Sequence, residues 1–355
     1  MRQIKIANKL IGDGQPTYFI ADIAANHDGD LMRAKELIYM AAEAGADAAK
    51  FQHFKAETIV SDKEFKKLGN QLSHQSSWSK SVFEVYNDAS VSINWNMELK
   101  SACEDAGIHF FTTPYDLDIV DKISGDVPAI KIGSGDISWH EMICKVAEKQ
   151  KPYLLATGAS NLDEVRAAVT QGLRINKQLL LMQCNTNYTA SLENFKFVNL
   201  NVLKTYSKLF PDLVLGLSDH TPGCTTVLGA VALGATAIEK HFTDDCDRVG
   251  PDHKFSMDPT TWREMVDRTR ELEFALGDGI KVVEENEKET VIVQRRSICA
   301  SKQLCRGVIL TEKDFLMLRP APEHSLAPYE IDKIVGKRLK CQKDMGEVIT
   351  ANDVE

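Results

Sequence analysis

The chain has 355 residues, 43% of them hydrophobic, and a formal charge of −9 at neutral pH. That length and apolar content allow one large core and a second small one, and the negative balance argues against nucleic acid as a partner while permitting an anionic ligand in a local cationic pocket. No run approaches the roughly 18 apolar residues of a membrane span, and the start, MRQIKIANKL, has no secretory apolar region, so a soluble, cytoplasmic chain without membrane partners is expected.

After a short basic lead, residues 18–23 predict a strand and 31–44 a helix that stops at Gly45. A strand at 48–52 follows. The alternation then repeats: helix 97–106 and strand 109–112, helix 116–123 and strand 129–132, helix 137–148 and strand 153–156, helix 162–170 and strand 179–182. Helix 201–209 leads to strand 214–217, the small-residue helix 224–233 leads to strand 235–238, and helix 260–276 closes the series. Eight β-α units in about 260 residues predict a (β/α)8 TIM barrel. A doubly wound sheet is the alternative, but the residues after the first strand, Ala24-Ala25-Asn26-His27, lack its glycine-rich phosphate turn.

Two stretches depart from this rhythm. Residues 54–95 form a long polar excursion with Trp78, Phe83, Tyr86 and Trp95 spaced through it, either a lid or binding loop or a loop with its own small core. After Gly277-Asp278-Gly279 the charged run 284–289 predicts a solvated linker or helix, and short strands at 297–300, 308–310, 315–318 and 347–349 predict a separate module. The expected division is a barrel at 1–282, a linker at 283–294 and a C-terminal domain at 295–355. The eight cysteines are scattered with no Cys-x-x-Cys pair, so neither a zinc ribbon nor a disulfide framework is indicated.

Barrel enzymes keep their chemistry at the carboxyl ends of the strands. Those ends supply Asp22, Asn26 and His27; Lys50 and Gln52; Thr113; Lys131, Ser134 and Asp136; Thr157; Asn185 and Tyr188; Ser218 and His220; and Glu239, Lys240 and His241. His220 and His241 point to a divalent metal with positions left open for water or substrate; the alternative is that each binds backbone at a strand end. Glu239 and His241 share a face by period-two alternation. Lysine in an apolar strand needs an anionic partner, so Lys50 and Lys131 indicate a phosphate or carboxylate ligand or, alternatively, a pairing with Asp22 or Glu239.

The strings FIADIAANHDG (19–29), GADAAKFQ (45–52), FFTTPYD (110–116), KIGSGD (131–136), LATG (155–158), GLSDHT (216–221), GAVALGATAIEKHFTDD (229–245), GPDHKFSM (250–257) and LRPAP (318–322) resemble the nonulosonic acid synthases, the family of N-acetylneuraminate, legionaminate and pseudaminate synthases. The resemblance implies a TIM barrel with a C-terminal antifreeze-like (SAF) domain, in a domain-swapped homodimer. It implies condensation of phosphoenolpyruvate with an N-acylated amino sugar aldehyde, aided by manganese, with magnesium or cobalt as alternatives. His220 and His241 then match the metal ligands, and Lys50, Gln52, Thr113, Lys131, Ser134 and Ser218 the phosphoenolpyruvate contacts. Glu239 and Asp252 match acidic residues of the site, Asp22 joins Lys50, Lys131 and these two as a catalytic candidate, and Arg319 matches the arginine that reaches the partner's sugar. Asp136, Thr157, Asn185, Tyr188 and Lys240 complete the expected substrate contacts.

The family's usual Glu is replaced here by Asp22 and Asp136, the segment 184–189 lacks the usual proline, and 320–325 lacks the usual glycine-rich turn. These differences leave the identity of the sugar open. Two other classes remain: a metal-dependent barrel aldolase or sugar isomerase, which needs no phosphoenolpyruvate, and a non-catalytic sugar-binding protein, which needs neither the lysines nor the histidines.

Overall fold

The computed structural model describes residues 2–69, 75–76 and 78–355; positions 70–74 and 77 of the polar excursion lie outside the described residues. The chain divides into two compact units, Met1–Gly277 and Asp278–Glu355.

In the first unit a hairpin of β1 (Gln3–Ile6) and β2 (Lys9–Gly12) precedes eight parallel strands. These are β3 (Tyr18–Asp22), β4 (Ala48–His53), β5 (His109–Pro114), β6 (Ile130–Ile132), β7 (Tyr153–Ala156), β8 (Leu179–Cys184), β9 (Val214–Asp219) and β10 (Ala237–His241). They close into a barrel in sequence order, β10 pairing with both β9 and β3. Eight helices follow the strands in turn: α1 (Leu31–Glu43), then, after the short α2 (Ala56–Ile59), α3 (Asp62–Lys67) and α4 (Val82–Asp88) of the excursion, α5 (Asn96–Asp105), α6 (Leu117–Ile123), α7 (His140–Ala147), α8 (Leu162–Ile175), α9 (Val202–Leu209), α10 (Thr225–Ala232) and α11 (Pro259–Leu276). Side-chain caps set several starts: Asp30 accepts from the amides of Met32 and Arg33, and Asn161 and Ser81 head capping boxes.

Strand parity sorts the apolar residues into two cores. Phe19, Ala49, Phe51, Phe110, Ile130, Leu155, Leu181, Leu215 and Ile238 face outward and pack with the helices. Tyr18, Ile20, Ala48, Phe111, Ala129, Leu154, Leu180, Met182, Val214 and Ala237 face inward and form a core of their own. Gly216 belongs to this inward set: a Cβ there would lie 2.7 Å from the Ala237 carbonyl oxygen, so β9 and β10 approach closely only with glycine. The polar residues of inward parity, Asp22, Lys50, Gln52, Thr113, Lys131, Ser218, Glu239 and His241, continue the same faces toward the carboxyl end. Ser218, Glu239 and His241 lie within the strands, which run further than the sequence patterns predict.

The lead segment corrects one expectation. It is a β-hairpin, and its Ile4, Ile6 and Ile11 join the inward core, closing the barrel at the end opposite the polar layer. Burying three isoleucines there contributes several kcal/mol, at about 1.5–3 kcal/mol for each side chain.

In the second unit, α12 (Lys288–Gln294) covers most of the expected linker, and its Ile292 carbonyl accepts from the Ala321 amide, so the linker belongs with the tail. β11 (Ser297–Ala300) and β12 (Phe315–Leu318) pair antiparallel. The strands expected at 308–310 and 347–349 are single bridges instead, Ile309 to Arg338 and Val348 to Cys299. Ile298, Leu304, Leu310, Phe315, Leu326, Ile334, Leu339 and Ile349 form this unit's own core.

Candidate active site

The inward polar layer is a network of opposite charges. Lys50 Nζ lies 2.6 Å from Asp22 Oδ2, 3.3 Å from Thr113 Oγ1 and 3.7 Å from Glu239 Oε1. Lys131 Nζ donates to the same Glu239 oxygen at 2.9 Å, and Ser218 Oγ donates to it at 3.2 Å. Gln52 Nε2 donates to Asp22 at 3.1 Å. Both lysines are 2% exposed, so without these carboxylates their charges would be prohibitive to bury. Burial alone pushes the Glu239 carboxyl up, but Lys131 and Lys50 outweigh it and hold the group at about 2. For Asp22 burial wins over Lys50 and the pKa is raised. Glu239 Oε2 is buried and has no hydrogen-bond partner among the described residues, an acceptor available to a ligand.

The two histidines converge beside this network, with ring centroids 5.4 Å apart. Burial first, then the neighbouring imidazole for His220 and Lys50 for His241, brings each pKa down to about 3, so both rings are neutral at physiological pH. His220 Nδ1–H donates to the Asn185 carbonyl at 3.0 Å, which leaves the Nε2 lone pair free. His241 Nδ1 is buried without a hydrogen-bond partner among the described residues and lies 4.0 Å from Asp252 Oδ2. Two neutral imidazoles with uncommitted nitrogens fit a divalent cation whose remaining ligands are water or substrate. Among the described residues no group of three or more His, Cys, Asp or Glu side chains is placed to hold a metal ion, so the protein's share of such a site is the histidine pair.

Above the network a cavity of about 130 Å³ is lined by Gln52, Tyr86, Tyr115, Tyr188, His241 and Asp252, among others. Tyr188 packs edge-on against His220, with centroids 4.4 Å apart. Asp252 accepts from the Ala25 amide at 3.1 Å, and burial pushes its carboxyl up to about 7. Burial raises the Asp136 carboxyl to about 6, and its Oδ2 has no partner among the described residues.

Other expected residues have different surroundings. Ser134 Oγ accepts from the Gly158 amide at 3.0 Å. Asn185 faces His220 through its backbone carbonyl, while its side chain donates to Phe197. Two expected substrate contacts are engaged by the protein itself. The Thr157 hydroxyl donates to the Met182 carbonyl and accepts from Tyr206, both at 3.0 Å, so it holds strands and helix together. Lys240 has the opposite parity to Glu239 and His241, and it is buried against Asp219 on the outer face of the sheet. Arg319 is exposed in the second unit. Sequence reasoning missed Phe255, which packs edge-on against His241 at 4.8 Å and His220 at 6.1 Å. Its only signal was its place in GPDHKFSM.

A profile of the NeuB family matches residues 37–281, and one of the SAF domain matches residues 295–355. An uncharacterized protein of Methanocaldococcus jannaschii is 35% identical over 100% of this chain and 99% of its own length. The N,N'-diacetyllegionaminic acid synthase of Legionella pneumophila is 36% identical over 97% of this chain and 96% of its own. Among solved structures, the N-acetylneuraminic acid synthetase of Leptospira borgpetersenii, crystallised with citrate, is 27% identical and superposes with a TM-score of 0.72, covering 81% of this chain and 95% of that one. With the barrel, its inward charge network and the small second unit, these likenesses show that the chain belongs to the NeuB family of nonulosonic acid synthases, with a C-terminal SAF domain.

Proposed function

We propose that the protein condenses phosphoenolpyruvate with an N-acylated amino sugar aldehyde, N-acetylmannosamine or a 2,4-diacetamido-6-deoxy hexose, to a nonulosonic acid and phosphate, in the cytoplasm. The observation that carries this reading is the convergence of Lys50 and Lys131 on Glu239 beside two neutral histidines. Cations suited to one anionic substrate adjoin a site suited to activating an aldehyde.

A divalent ion on His220 and His241, manganese or alternatively magnesium or cobalt, supplies Lewis-acid polarisation of the aldehyde oxygen when bound. Lys50 and Lys131 turn from their carboxylates to the phosphate and carboxylate of phosphoenolpyruvate, with Thr113, Ser134, Ser218 and Gln52 adding hydrogen bonds. Their contribution is positioning and fixed charge. The enol carbon attacks the aldehyde carbon, water adds at the former enol C2, and the tetrahedral centre expels phosphate. Asp252 lines the cavity beside His241, and burial raises its carboxyl to about 7, within the range of a general base, so Asp252 is assigned to take the proton from water. Tyr188 and Asp136 contact the sugar.

Phosphate release that requires both phosphoenolpyruvate and an amino sugar, measured over a panel of aldehydes, tests the reading and selects the acceptor. Oxygen-18 in the bridging position of phosphoenolpyruvate is expected in the released phosphate; its retention in the sugar acid refutes C–O cleavage. We also propose a homodimer in which the SAF domain of one protomer brings Arg319 to the site of its partner, as the family likeness implies. Mixed Arg319→Ala and Lys131→Met chains, each inactive alone, then regain activity; without regain, the shared site is refuted.

A further inference from the structure

Lys240 takes no part in the chemistry above, yet it is 1% exposed and fully engaged. The β9–β10 ladder ends at the pair Lys240 and Asp219. His241 is the last residue of β10 and His220 the first past the end of β9, so no further rung of that ladder sets the distance between them. Side chains on the outer face take over where the ladder stops. Lys240 Nζ donates to Asp219 Oδ2 and to the Thr221 carbonyl oxygen, both at 2.5 Å. Those two residues stand on either side of His220. Asp219 is held in turn: its Oδ1 accepts from the Thr221 amide at 3.2 Å, and its Oδ2 accepts from the Thr226 hydroxyl, in the first turn of α10, at 2.6 Å.

We propose that Lys240 is a positioning residue which, by tying the Asp219 carboxylate and the Thr221 carbonyl, on either side of His220, to the strand that carries His241, sets the spacing of the two imidazoles and with it their affinity for a divalent cation. The inference rests on reading His220 and His241 as metal ligands. A purely stabilising role accounts poorly for the arrangement, because apolar residues of similar volume commonly replace a buried ion pair with no loss of stability. Such a replacement cannot hold the Thr221 carbonyl. Partners behind metal ligands typically govern metal affinity by 10- to 100-fold.

The test uses the metal-stripped full chain, with manganese binding followed by the electron paramagnetic resonance of free Mn²⁺ and phosphoenolpyruvate binding measured calorimetrically without metal. Lys240→Met is expected to weaken manganese binding at least tenfold while phosphoenolpyruvate, which rests on the inner lysines, binds within about twofold of wild type. The double variant Lys240→Met/Asp219→Leu, which removes both charges and is expected to fold, is expected to stay equally weak for manganese. Recovery of manganese affinity in the double variant, unchanged affinity in the single one, or parallel loss of both ligands overturns the positioning role. Should Lys240→Met not fold, the double variant and the milder Thr226→Val, expected to weaken manganese a few-fold, decide the question by the same criteria. A wild-type chain that binds no manganese overturns the histidine reading itself, a result distinct from a wild type that binds and variants that bind equally well.

Discussion

Lys131 and Glu239, 108 residues apart in the chain, meet at 2.9 Å inside the barrel. Their strands, β6 and β10, stand four places apart in either direction around the closed ring of eight, so the pair spans the interior. Closure of the sheet, which no local pattern encodes, creates this contact and the cation pair that converges on Glu239.

Removing one partner tests its energetic weight. Lys131→Met leaves Glu239 with Lys50 at 3.7 Å as its remaining cation, and is expected to cost about 3 kcal/mol in denaturant unfolding. Phosphate release is expected to fall at least 100-fold, equivalent to about 2.7 kcal/mol of transition-state stabilisation. Wild-type rates in this variant would remove Lys131 from the mechanism.

Chelation followed by repletion examines the histidines. Phosphate release is expected to vanish with chelator and return with manganese, while His241→Ala needs at least tenfold more metal for half-maximal rate. Activity indifferent to chelator would leave the imidazole pair with a structural role alone.

The Asp136 carboxyl makes stability depend on pH. Its ordinary pKa of 3.8 is raised to about 6 by burial, so the folded chain holds this proton more tightly than the unfolded chain. The resulting stabilisation is complete below pH 3.8 and lost as the pH rises through about 6. Asp136→Asn is therefore expected to be more stable than wild type by on the order of 2 kcal/mol at pH 8, and equal to it near pH 4. Thermal or urea unfolding across that range checks it; a difference that does not vary with pH would contradict the assignment.

The hairpin at the far end of the barrel separates stability from chemistry. Ile6 is fully buried in the inward core, and Ile6→Ala is expected to lose about 2–4 kcal/mol of unfolding free energy. Its KM for phosphoenolpyruvate should not change at temperatures where the variant is folded, because the polar layer lies at the opposite end. A raised KM at full folding would mean that the two ends are coupled.

The repeating units were legible in the sequence because burial on both faces makes each barrel strand a short apolar run and each covering helix a 3.6-residue pattern. Period-two parity also placed Glu239 and His241 on one face, and the same rule, applied to the residue between them, already directs Lys240 away from the cavity. The hairpin is not legible in the sequence because IKIANKLI mixes its buried isoleucines with lysines and reads as a basic lead. The sequence by itself determined the element order and which side chains share a face, since both follow from backbone periodicity. Only the tertiary structure decided that Lys50 and Lys131 share Glu239, that Phe255 packs against both imidazoles, and that Lys240 reaches Thr221. Those contacts depend on how far apart strands lie once the ring has closed, a distance set by the whole sheet together.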